Sequence, residues 1–239
     1  MQAELRAALV DDIDQLIRLN DREIDRPTLH ALKATGFPRG LALPPEDAAG
    51  EAAYANMAEA LAAPESLDDL AADFAAIYLN NRFGASPYES VWIGDDHLAC
   101  AAPMFELRDL YAEAGLRAAD WRSRFDDHFV LQLHYLRQVL AAARIPPARL
   151  AAFIDEHIAY WFPDFAGRVS MLCGTAFYAA LVELTLVWLI RFRKLLDEIH
   201  DLPIPDRAQI AQRINRKMAM EKAEVAPIRF MPGAQGPSW

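Results

Sequence analysis

Apolar residues between Ala3 and Leu19 recur at Leu5, Leu9, Ile13, Leu16 and Ile17, near helical spacing, and predict an amphipathic helix. An Ala-rich segment over 49–62, stopped by Pro64, predicts a second helix, and Phe37-Pro38-Arg39-Gly40 with Leu43-Pro44-Pro45 marks an irregular connection between the two. Ser66 has the chemistry of an N-cap, and Asp68 and Asp69 complement the helix dipole behind it. Leu67, Leu70, Ala71, Phe74, Ile77 and Tyr78 then form one apolar stripe, which should end near Phe83-Gly84.

Further along, 85–103 reads as a loop, 104–114 as a short helix halted by Gly115, and 118–125 as a polar connector carrying Trp121. Asp127 is placed to cap a helix running to about Ala143. After Ile145-Pro146-Pro147 comes a helix with Leu150, Phe153, Ile154, His157, Ile158 and Trp161. Trp161-Phe162-Pro163 should break it, and a long apolar helix is expected from near Asp164 to about His200. Leu202-Pro203-Ile204-Pro205 closes that helix, and Asp206 should cap a basic one to roughly Lys222. The pattern predicts an all-α protein. One compact helical domain is expected over 1–225, with room for a small N-terminal lobe at 1–64, followed by an extended or mobile tail at 226–239 that is rich in Pro and Gly.

Composition agrees with a packed helical core: 54% of residues are apolar and 24% charged, which excludes wholesale disorder. From Met171 to Ile190 the chain holds a single charge, Glu183, and is long enough for about 20 residues of bilayer. A charge in mid-span and the lack of a second such segment favour a central core helix, hence a soluble protein without membrane insertion. The opening Met1–Val10 has no apolar core followed by a small-residue cleavage site, so no secretory signal is expected there. Cys100 and Cys173, in apolar surroundings and outside any CxxC spacing, read as buried thiols of a reducing compartment, the cytoplasm. The net charge of −10 argues against a nucleic-acid partner and leaves a basic polypeptide partner possible.

Conventional enzyme chemistry is missing. There is no HExxH, no Glu three residues before a His, no Gly-rich phosphate loop, no GxSxG elbow and no CxxCH. Asp197-x-x-His200 is a lone pair at helical spacing, more in keeping with a solvated helix end than with metal ligands.

Three segments, in order, carry a resemblance. They are Tyr88-Glu89-Ser90-Val91-Trp92 followed by Tyr111-Ala112-Glu113-Ala114-Gly115; the run from Phe125-Asp126-Asp127-His128 to Leu136; and the run from Phe153 through His157 and Trp161 to Phe165. Together they resemble the TorD/DmsD/NarJ superfamily of redox-enzyme maturation chaperones over roughly residues 50–200. The resemblance implies a helical bundle that binds the twin-arginine signal peptide and body of a molybdopterin oxidoreductase subunit during cofactor loading and before export. It further implies no catalysis and no cofactor of its own, with either a monomer or a helix-swapped dimer. Asp127 and His128 match the family's D-H pair at its peptide-binding hinge, and Tyr88, Ser90 and Trp92 match its groove loop. This chain departs in having Arg124-Phe125 where relatives often have Glu-Pro, and Gln132 where they commonly have Glu.

Physical chemistry frames the same site independently. A leader joining a basic head to an apolar stretch needs carboxylates beside an aromatic groove. Glu89, Asp126 and Asp127 are the candidate carboxylates, and Tyr88, Trp92, Trp121 and Phe125 the candidate wall. Each has a plainer reading: Asp127 as an N-cap only, His157 as a hydrogen-bonded core histidine, Trp161 and Phe165 as core. Trp92, on a loop, is the aromatic expected to be exposed. Two rival functions are a helical enzyme or cofactor or metal carrier using His128, His157 and nearby acids, and an adaptor without leader specificity.

Overall fold

The computed structural model describes residues 1–63, 66–94, 97–119 and 122–224, the last four of these by backbone alone. Pro64, Trp121 and the 226–239 tail lie outside the described residues. The helices are α1 (Ala3–Asp21), α2 (Arg26–Thr35), α3 (Ala48–Ala62), α4 (Leu67–Phe74), the single turn α5 (Ser90–Ile93), α6 (Ala102–Glu113), α7 (Phe129–Ala142), α8 (Pro147–Ile154), α9 (Phe162–Leu172), α10 (Ala176–His200) and α11 (Arg207–Glu224). Among the described residues there is no strand, only an isolated antiparallel bridge between Tyr88 and His128. No helix among them is long and apolar enough to cross a membrane.

α10 is the central column. α3 and α9 pack along it, and α1 packs along α7. The stripe that predicts α1 supplies fully buried Leu9, Ile13 and Leu16, so the N-terminal segment shares its core with the later helices. An aromatic block fills the middle: Phe129 stacks on Phe162 at 4.1 Å, and Trp161 and Phe165 close around them. Most polar groups at this depth are paired, as burial demands. Asp12 accepts from the Trp188 indole and the Ala42 amide, both at 2.8 Å, which ties α1, the 36–47 connection and α10 together.

Four boundaries differ from the expected ones. α2 was not expected; Asp25 caps it through the Thr28 amide, and Gly36 ends it at φ +69. The stripe of α4 does not run to Gly84. After Ser66 caps it through Asp69, α4 passes at Phe74 into a π-helical turn, Ala75–Leu79. A second π turn, Asp155–Ala159, follows α8. Such turns insert a residue into the helical ladder and re-aim the side chains they carry.

The single helix expected from Asp164 to His200 is split at Cys173-Gly174-Thr175. The break belongs to Asp73 of α4, whose carboxylate accepts from the Thr175 amide at 2.6 Å and from the Cys173 thiol at 3.0 Å. That carboxylate does for α10 what an N-cap side chain would do. Glu183, on half-buried ground, accepts from Asn56 of α3. Contrary to expectation, Cys100 is exposed and Cys173 only half-buried.

Candidate functional site

The loop 86–93 is stitched onto the start of α7. The Phe129 amide donates to the Pro87 carbonyl at 2.8 Å and the Glu89 amide to the Asp127 carbonyl at 3.1 Å. Asp127 is not the N-cap of α7. Its Oδ2 accepts from the Ser90 amide at 3.0 Å, while His128 caps the helix by accepting from the Val130 amide through Nδ1 at 3.1 Å. Neutral with Nδ1 accepting, the ring carries its remaining proton on Nε2. Burial holds the imidazole far below its usual range, at about 3, with Arg124 acting in the same direction.

The three carboxylates expected at a surface groove are all buried: Glu89 is 1% exposed, Asp126 2% and Asp127 0%. Each has an internal task. Asp126 takes two donors from Arg108, at 2.8 and 3.0 Å. Asp127 holds the 88–90 loop, and burial raises its carboxyl while Oδ1 has no partner among the described residues. Glu89 accepts from Gln132 Nε2 at 2.6 Å and lies 3.0 Å from His157 Nδ1.

Gln132 therefore has a physical reason: a Glu there would set a second carboxylate against Glu89, whereas the amide supplies a donor. Burial pushes Glu89 up to about 7. Burial also opposes the charge on His157, but Glu89 and Glu106 on either side of the ring outweigh it and raise the imidazole to about 9. His157 is thus the paired core histidine of the plainer reading, reached through the π turn rather than a regular helix.

Trp92 is half-buried, not exposed. It stacks near Trp161 and donates its indole N–H to the Ser86 carbonyl at 2.8 Å. Trp161 and Phe165 are core.

What does face outward is an open cleft of about 490 Å³, bordered by Tyr78, Leu79, Ser86, Pro87, Tyr88, Arg124, His128 and Leu131. Leu79 is 69% exposed there, delivered by the first π turn, and was not singled out by its sequence position. Tyr88 packs edge-on to His128 at 5.0 Å and against Phe125 at 5.6 Å. Among the described residues lining it, the charged one is Arg124, ion-paired with Asp21. Of the expected site residues, Tyr88 and His128 line this cleft, and Glu89, Ser90, Asp126 and Asp127 lie behind it as its scaffold.

Residues 43–167, which hold the loop, the cap and both π turns, match the family described as nitrate reductase delta subunit. The chain belongs to that family. It is the grouping of redox-enzyme maturation chaperones that the three motifs resembled. The "Chaperone protein TorD" of Vibrio cholerae serotype O1 (strain M66-2) is 30% identical over 141 residues, 55% of this chain and 64% of that protein. Its counterpart in Vibrio parahaemolyticus serotype O3:K6 is 26% identical over 191 residues, 74% of this chain and 85% of that protein. The Photobacterium profundum protein of the same name is 27% identical over 160 residues, covering 62% of this chain and 74% of that protein. The match to the Vibrio cholerae protein thus spans just under two thirds of its length.

Proposed function

We propose that this protein is a cytoplasmic chaperone for the precursor of a molybdopterin oxidoreductase subunit, holding its twin-arginine signal peptide and body while the cofactor is loaded and before export. The observation that carries this reading is the cleft beside Tyr88 and His128. It is built around the family's own motifs, lined by aromatic and aliphatic side chains together with Asn81, Ser86, Ser123 and Arg124, and it includes Leu79, which is 69% exposed. An extended or helical apolar stretch of a leader fits such a cleft through ring and leucine contacts. Tyr88 and His128 would touch the leader directly. Glu89, Ser90, Trp92, Asp126 and Asp127 act by fixing the loop that presents Tyr88, and Trp121 belongs to the same proposed set. The relatives, chaperones by name, support the class of activity.

No observation favours the catalytic or carrier alternative. His157 has a carboxylate at each ring nitrogen, and His128 spends Nδ1 on the helix cap.

Calorimetric titration with twin-arginine leader peptides tests the proposal. At least one leader should bind, and Leu79→Glu should weaken it at least tenfold without lowering the melting temperature appreciably, while Tyr88→Ala should weaken it as much with some loss of stability from its contacts with Phe125 and His128. Absence of binding by every leader and by the full precursor would overturn it. Asp127→Ala with Trp92→Ala is a poor probe, because both side chains hold the fold and their loss destabilises the protein.

A further inference from the structure

α11 is attached differently from the other long helices. Over 207–220 only Ile210 and Ile214 are buried, at 5% and 7% exposure. Among the described side chains Met218 is half-buried, and the other contacts are ion pairs with one cation–π contact. Lys217 Nζ reaches Glu156 at 2.6 Å and Glu106 at 2.5 Å, Arg213 lies 3.8 Å from Glu156, and Arg207 pairs with Asp164 while covering the Tyr160 ring at 5.2 Å. Beneath it lies a gap of about 20 Å³ whose floor includes Glu89 and His157 and whose roof is Ile214, Lys217 and Met218.

The surface under α11 is therefore acidic and apolar together. Once Lys217 and Arg213 are removed, Glu89, Glu106 and Glu156 face His157 as the remaining cationic group among the described residues lining the gap. Burial would raise Glu106, yet His157 and Lys217 outweigh it and hold that carboxyl at about 2, and two carboxylates keep Lys217 charged. The covering segment supplies apolar residues at i and i+4 (Ile210, Ile214) and basic ones at i+3 and i+7 (Arg213, Lys217). These are the anchor spacings of an amphipathic helix lying in a groove.

We infer that α11 is a strap that opens, and that the groove beneath it docks a basic amphipathic helix of a partner protein, for which α11 is the resident stand-in. Among the described side chains of 207–220, two buried isoleucines, a half-buried Met218 and ion pairs whose basic partner is about half exposed are a small attachment. Being tethered, the strap competes at high effective concentration, so a partner wins only when it binds more strongly or arrives with α11 already loosened. The groove shares no lining residue with the Tyr88 cleft, and the inference stands whether or not that cleft takes a leader.

The test uses the full chain and a labelled synthetic peptide spanning Pro205–Met220, followed by fluorescence anisotropy and amide exchange. Ile214→Asp, which unseats the strap, should bind the peptide at least tenfold more tightly than the wild type does. Its α11 amides should exchange at least tenfold faster while α7 and α10 keep their protection. A peptide with both isoleucines replaced by Asp should lose binding. Equal affinity of wild type and variant, no binding by either, or α11 amides as protected as those of α10 in the wild type would overturn the inference. Should Ile214→Asp lose protection in α7 and α10 as well, Lys217→Ala replaces it, since it removes only a partly exposed ammonium. A threefold gain in peptide affinity is then expected, and no gain overturns the inference.

Discussion

Acidification should expose the role of His128. Its ring is 2% exposed, packed beside Tyr78 and Tyr88, and its Nδ1 lone pair caps α7. Burial leaves a charge on the ring unsolvated and Arg124 repels it, which holds the imidazole at about 3 instead of 6.5; a proton arriving at Nδ1 would also remove the acceptor that the Val130 amide uses. The folded state thus binds this proton less readily than the unfolded chain. Its contribution is complete above the unfolded value of 6.5 and is lost as pH falls from there toward about 3.

The loss proceeds at about 1.4 kcal/mol per pH unit, so some 1.5 units, from 6.5 to 5.0, remove about 2 kcal/mol. For a chain of this size that is roughly 4–8 °C in melting temperature. Other carboxyls and histidines titrate in the same window, and Glu89, raised by burial, pulls the opposite way. The comparison with His128→Asn removes them, because Asn still caps a helix N-terminus but carries no titrating proton. Urea unfolding of both proteins at pH 7.5, 6.5, 5.75 and 5.0 should show the wild type losing about 2 kcal/mol of its advantage between 6.5 and 5.0. A difference that stays constant across that range, or grows in acid, would refute the assignment of a buried neutral His128.

Three further outcomes are expected. His157→Gln leaves Glu89 buried without its cation and should cost about 3 kcal/mol at pH 7; because the histidine is raised to about 9, the wild type's advantage should shrink as pH climbs from 6.5 through 9, read by denaturant midpoints across that range. Phe162→Ala, at a fully buried ring stacked on Phe129, should cost about 3–5 kcal/mol with an unchanged denaturant slope. Asp73→Ala removes the acceptor at the start of α10 and should cost about 1–2 kcal/mol, with faster amide exchange at Thr175 than elsewhere in α10.

The legible part of this chain was what a residue and its neighbours three or four positions away decide. The stripe of α1, the Ser66 and Asp206 caps and the stop at Gly115 are written in local spacing, and those helices stand where the signals place them. The family motifs were legible for a related reason: they cluster in short runs that the fold keeps together. α2 escaped because Leu29 and Leu32 alone make a weak stripe, although Asp25 before Arg26-Pro27 is a start signal. Tertiary structure decided the rest. The break at 173–175 depends on a carboxylate about 100 residues earlier, and no local rule separates a glycine inside a helix from one between two helices. Whether Glu89, Asp126 and Asp127 face water or the core depends on Arg108, Gln132, His157 and the Ser90 amide, which reach them across 18 to 68 residues. Helical periodicity arises within one turn of backbone, but the burial of a charge is settled by which distant partner arrives to neutralise it.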